Sequence, residues 1–233
     1  MENKKQIDEK ILQAKSGWGM LILSVLGIAA GILLCVFSNT VGGQEWLKIV
    51  MVAIGVILLI VFAFLFCGLK TVNPNEAVVL TLFGKYYGTL KKEGFYWVNP
   101  FSSAFNPAQG ALMGLGKKIS LKAMTLNNEK QKVNDEEGNP IEIGVVVIWR
   151  ITNTARAVFN VDNYYSFVAT QCDSAIRQVA RQYPYDVSDD DNEKTLRGSS
   201  QEIADVLKAE LQARVDMAGI EIMEARISHL AYA

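Results

Sequence analysis

Two stretches of the chain carry no charge: residues 17–37, GWGMLILSVLGIAAGILLCVF, and residues 49–69, IVMVAIGVILLIVFAFLFCGL. Both are apolar all the way round, without the polar face that a helix on a soluble core keeps toward water. At a rise of ~1.5 Å per residue, each covers the ~30 Å hydrocarbon layer of a bilayer. The pattern therefore predicts two membrane-spanning helices. The first is not a cleaved leader, because its uncharged core is too long and an equally long span follows. The connection 38–48, SNTVGGQEWLK, is short enough only for an antiparallel hairpin. Ahead of it, residues 1–16 are polar, with Ile7, Ile11 and Leu12 at helical spacing. Two readings stand for this tail: an amphipathic helix lying on the membrane surface, or a solvated end.

From residue 70 onward the pattern changes to short alternating runs. Ala77 to Phe83 is β-rich and ends at a turn, Phe83-Gly84-Lys85. A second extended piece, KKEGFYWVNPF, is broken at Pro100, and 102–115 is irregular. Residues 117–126 alternate as a strand. KQKVND (130–135) leads through a Gly/Asn/Pro turn into IEIGVVVIWRIT (141–152). There Ile141, Ile143, Val145, Val147, Trp149 and Ile151 make one apolar face, as on a strand covered mainly on one side. Helical spacing takes over at Tyr165, Val168, Cys172, Ile176 and Val179, with Asp162 as the predicted cap and Pro184 beyond the end. A second helix follows Ser199 or Ser200, striped by Ile203, Val206, Leu207, Leu211 and Val215, with Gly219 as a left-handed stop. IEIMEARISHLAYA closes the chain as a strand. The expected organisation is a tail (1–16), a transmembrane hairpin (17–69) and an α+β domain with a mostly antiparallel sheet (70–233).

Charge placement orients the hairpin. Lys4, Lys5, Lys10 and Lys15 precede the first span and Lys70 follows the second, whereas the loop holds only Lys48. Both termini are thus expected in the cytoplasm, with the protein multi-pass in a cell membrane of bacterial type. Trp18 and Trp46 sit at span ends, where indoles favour the interface. Net charge is near neutral, which gives no support to a nucleic-acid partner. Three cysteines without repeated spacing are read as free thiols in a reducing compartment.

Candidate chemistry is sparse. His229 is the only histidine, so motifs needing several are excluded, and an ordinary strand role is the better reading. GALMGLGKK (110–118) misses a phosphate-binding loop twice: five residues separate Gly110 from Gly116, and Lys118 stands where Ser or Thr must hold Mg²⁺. The acidic run DVSDDDNE (186–193) lacks the glycine and far glutamate of a Ca²⁺ loop and reads as a solvated connection. Ser199 and Ser200 have no adjacent base. No nucleophile with an orienting partner emerges, and no metal or cofactor is expected.

Three segments together resemble the SPFH (band 7, prohibitin-homology) family. Residues 72–101 are similar to its opening, with Glu76 and Val79, Phe83-Gly84-Lys85, and Gly94 with Pro100. Residues 135–151 resemble its central hairpin, and AGIEIMEARISHL (218–230) its closing strand. The resemblance covers about 70–230. It implies a non-enzymatic, membrane-anchored scaffold of the stomatin, prohibitin or flotillin kind, one that forms homo-oligomers and organises membrane lipids and proteins into microdomains. It also admits a regulatory module for a membrane-bound AAA protease or another integral membrane protein; apart from the resemblance, a hydrolase whose active site is completed elsewhere is a third reading. Two departures are expected to matter. The long Ala/Glu/Lys/Arg-rich helix that usually follows the closing strand is not in the sequence, and two full spans replace a dip or a single crossing.

The aromatic run at 95–97 acquires a role in this setting. Phe95, Tyr96, Trp97 and Phe101 are expected to form a shallow membrane-contact patch, with Trp18 and Trp46 at the span ends. Lys91 and Lys92 would meet anionic headgroups at ~1 kcal/mol each. The alternative is simple strand alternation, with Phe95 and Trp97 in the core and only Tyr96 outside.

Overall fold

The computed structural model describes residues 8–40, 45–108, 117–186 and 194–233. The chain divides into two compact units, one of Lys10–Phe105 and one of Asn106–Ala233 together with Met1–Glu9.

In the first unit, strand β1 (Lys15–Ser16) runs without a break into helix α1 (Gly17–Phe37). Helix α2 (Glu45–Phe66) returns beside it. The first span starts and ends as the sequence predicts. The second starts four residues earlier than predicted, where Lys48 pairs with Glu45 at 3.0 Å across one turn. It also ends three residues earlier, because Leu69 is drawn into strand β2 (Leu69–Val72). Small residues let the two helices approach. A Cβ on Gly27 would lie 2.2 Å from the Phe62 ring, and one on Gly31 would lie 3.0 Å from the Gly55 carbonyl. A Cβ on Gly55 would meet Cys35 Sγ at 2.5 Å. Partners ascend on one helix as they descend on the other, so the pair is antiparallel. Close backbone approach of this kind is how helices associate where no hydrophobic drive between them exists.

The rest of this unit is β-structure. Strand β3 (Glu76–Leu82) lies between β4 (Lys85–Leu90) and β6 (Ser102–Ala104), and β5 (Gly94–Trp97) lies between β1 and β2, all antiparallel. Val72, Val78, Leu80, Leu90 and Val98 form its core, with Leu12 and Tyr96 packed against them. The described part of the tail does not adopt the surface helix. Residues 8–16 are not helical, and the Leu12 N–H donates to the Thr89 carbonyl while the Thr89 N–H donates to that of Lys10. Gly88 permits this: its φ is +151° and a Cβ there would strike Leu12 at 2.5 Å.

The second unit begins with β7 (Ile119–Ser120) and then a sheet of β8 (Met124–Asn134), β9 (Pro140–Ile151) and β10 (Ile220–Tyr232), with β9 central. The expected single strand 117–126 is two, separated at residues 121–123. Along β9 the predicted face is buried at every position from Ile141 to Ile151. Asp135 anchors the β8–β9 turn, accepting from the Asn139 N–H at 2.7 Å and the Tyr185 N–H at 3.1 Å. Helix α3 (Thr154–Phe159), which the sequence reading passed over, follows β9. Helices α4 (Tyr164–Ala180) and α5 (Ser200–Val215) supply Val168, Cys172, Ile176, Ile203, Leu207 and Leu211 to the core. The cap of α4 is Asn163 rather than Asp162, its side chain accepting from the N–H groups of Tyr165 and Ser166. Ser199 stands at the start of α5 but makes no side-chain cap bond. Gly219, at φ 64°, ends the following turn in the left-handed conformation. The architecture is the expected one: two apolar helices, then α+β with antiparallel sheets.

Candidate membrane interface

Strand β5 joins the feet of both apolar helices. On one side Lys15 pairs with Trp97 and Ser16 with Tyr96, and α1 begins at the next residue. On the other, Leu69 pairs with Trp97 and Lys70 with Tyr96, directly after the turn at Cys67-Gly68 that follows α2. Three further contacts tighten the junction. Trp97 Nε1 donates to the Leu65 carbonyl at 3.0 Å, a second donor beside the Gly68 N–H at 3.1 Å. The Val98 N–H donates to the Gly68 carbonyl at 3.0 Å. Gly68 is needed there, because a Cβ would sit 2.5 Å from the Val98 carbonyl.

Alternation along β5 holds, but in the opposite sense to the core alternative. Tyr96 turns toward the core of the unit. Phe95 and Trp97 point at the helix feet: the Phe95 ring meets Trp18 edge-on with centroids 5.4 Å apart, and a Cβ on Gly17 would touch that ring at 2.8 Å. Phe95, Tyr96 and Trp97 are all half-buried. Of the sequence-selected residues, Trp18, Phe95, Trp97 and Phe101 thus gather at one end of the hairpin. Trp46 lies in the first turn of α2, at the other end. Lys91 and Lys92 occupy the loop between β4 and β5.

One member escaped the sequence reading. The Phe101 ring lies tilted against Phe64 of the last turn of α2 with centroids 4.8 Å apart, and against Phe83 at 5.7 Å. Phe83 is 81 % exposed and has φ 48°, with Gly84 at φ 80°. Leu82 pairs with Lys85 across this two-residue turn. Such turns favour Asn-Gly, because both central residues are left-handed. A phenylalanine there carries roughly 1–2 kcal/mol of backbone cost and also leaves its ring outside the core. A phenylalanine where the turn asks for asparagine was the available signal.

Charge distinguishes this unit as well. Residues 10–105 hold seven lysines and three glutamates, with no arginine or aspartate, in a chain whose net charge is −1. Among the described residues no cluster of three or more His, Cys, Asp or Glu side chains is placed to hold a metal. Residues 110–116 and 187–193, the greater part of the two loop motifs weighed above, lie outside the described residues. All three cysteines are free thiols. Burial pushes the Cys172 thiol up to about 11, the reverse of an activated nucleophile. His229 lies half-buried on β10 opposite Gly144.

The chain is 21 % identical over 175 residues to an uncharacterised protein of Methanothermobacter thermautotrophicus, a match covering 75 % of this chain and 49 % of that protein. It therefore spans about half the length of that relative. Residues 70–233 match the SPFH domain / Band 7 family. The match begins within β2, where the second apolar helix hands over to the sheet, and runs through β10. With that span matched, the chain belongs to the SPFH domain / Band 7 family, whose members are membrane-associated.

Proposed function

We propose that this protein is a membrane-anchored scaffold that associates with itself and organises lipids and membrane proteins around it, without catalysis of its own. The observation that carries this reading is the clamp: β5 is bonded to the strand that enters α1 and to the strand that leaves α2. The hairpin and this sheet are therefore built as one piece, with no free linker between the helices and the sheet. Helices of 21 and 22 residues are long enough to cross a bilayer, and their large side chains face outward rather than into protein. Lysine placement supports cytoplasmic termini.

Crosslinking in native membranes tests the scaffold reading. A ladder of self-adducts is expected. A single heterologous band, without self-adducts, replaces the scaffold with a regulatory module seated on one partner, a membrane-bound protease or a channel. Digestion of residues 70–233 by protease added outside intact cells overturns the orientation.

A further inference from the structure

Phe83 combines three features that burial in this chain does not explain. Its ring is 81 % exposed, its backbone is held at φ 48°, and the ring it meets is that of Phe101, just ahead of the neighbouring strand β6. Strained backbone positions persist where surrounding structure or function compensates for them. Inside the protein the compensation is small: one tilted ring contact at 5.7 Å. The contact nevertheless fixes where the turn lies. Phe101 touches Phe64 in the last turn of an apolar span, so the β3–β4 turn stands one ring removed from that span. Lys85 follows the turn and is exposed.

We propose that the Phe83-Gly84 turn is a second lipid-contact element, seating its ring in the acyl boundary of the bilayer that holds the helices, with Lys85 at anionic headgroups. The proposal rests on the membrane-anchored reading above and adds to it a residue that fixes how the sheet meets the bilayer. A lipid surface is favoured over a protein occupant for two reasons. The aromatic chain is continuous with the apolar span, and the lysine excess of residues 10–105 complements anionic headgroups.

The test uses the full chain in nanodiscs of phosphatidylcholine and phosphatidylglycerol, with 4-fluorophenylalanine placed at position 83. Fluorine relaxation is expected to respond strongly to lipid bearing a doxyl group near the glycerol, and weakly to a water-soluble gadolinium chelate. A strong response to the chelate alone means the ring is in water, and insensitivity to both means it is covered by protein. Either result overturns the proposal. In a second measurement, Phe83→Asn, which suits the turn, is expected to speed amide exchange at 84–86 several-fold in nanodiscs, whereas Phe83→Leu retains most of the protection. Equal exchange in all three chains also overturns it. Resistance to alkaline carbonate extraction depends on the two helices, not on Phe83. Loss of that resistance in the unaltered chain defeats the anchored reading itself, while its retention beside a water-exposed ring defeats only the turn.

Discussion

The helix pair of the first unit and residues 106–233 follow opposite burial rules. In the second unit β9 buries its predicted face, α4 and α5 place their apolar stripes inward except at Tyr165, where Tyr164 is buried instead, and Leu207 and Leu211 are covered. Its large exposed hydrophobic side chains, among the described residues, are Tyr165, Met217, Met223 and Tyr232. In the first unit the buried positions of α1 are Gly17, Ser24, Gly27 and Gly31, and Leu26, Leu33, Ile49, Ile57 and Ile60 face outward. Small inside and large outside is the arrangement expected when the surroundings are as apolar as leucine, so that packing rather than water exclusion joins the helices. The β-strands of the same unit revert to the aqueous rule, and the change falls at β5. One strand therefore marks where the burial pattern changes.

The sharpest way to break this contrast is to make one substitution in both regions. Leu211→Ala, at a position with no exposed surface, is expected to destabilise the chain by about 2–5 kcal/mol. Chemical denaturation in detergent, followed by near-ultraviolet circular dichroism, measures it. Next in size is a pH effect confined to the second unit. Burial holds the Cys172 thiol protonated up to about 11, against 9.0 in an open chain. The contribution is complete below pH 9.0 and is lost as pH rises to about 11, because only the unfolded chain ionises in between. Its size is on the order of 2–3 kcal/mol. Cys172→Ala is expected to flatten that part of the stability–pH curve, and an unchanged slope removes the thiol from the account.

Gly27→Leu tests the helix seam. With a Cβ already 2.2 Å from the Phe62 ring, the substitution forces the helices apart. The expected cost is about 1–3 kcal/mol, read as a lower midpoint in helical melting in micelles. Leu33→Ala should have the smallest effect, within about 0.5 kcal/mol, since Leu33 is 68 % exposed. If Leu33→Ala costs as much as Leu211→Ala, that face of α1 is covered by protein, and the two-solvent description fails.

Much of this was legible in one dimension. The uncharged runs gave both helices, with the first bounded as found, because hydropathy over twenty residues is a local quantity. The face of β9 and the stripes of α4 and α5 follow from periods of two and 3.6. What escaped the sequence was fixed by pairing. Helix α2 ends early because Leu69 is claimed by β5, and Ile11 is bridged to the sheet because β4 offers Thr89 as a partner. Phe83 was read as a turn residue and nothing more, because its exposure depends on a hairpin whose neighbours are distant in sequence.

By itself, then, the sequence determined what kind of chain this is: two long apolar helices, an α+β remainder and the family to which that remainder belongs. These follow from composition, periodicity and motif order, which are properties of neighbouring residues. Only the tertiary structure decided that Phe95 and Trp97 face the helix feet while Tyr96 faces the core, and that Phe64, Phe101 and Phe83 meet. Alternation along a strand states that two faces differ, but which face meets which surroundings depends on the strands bonded at its edges. For β5 those edges come from residues 15–16 and 69–72, far from it in the chain and brought beside it only by folding.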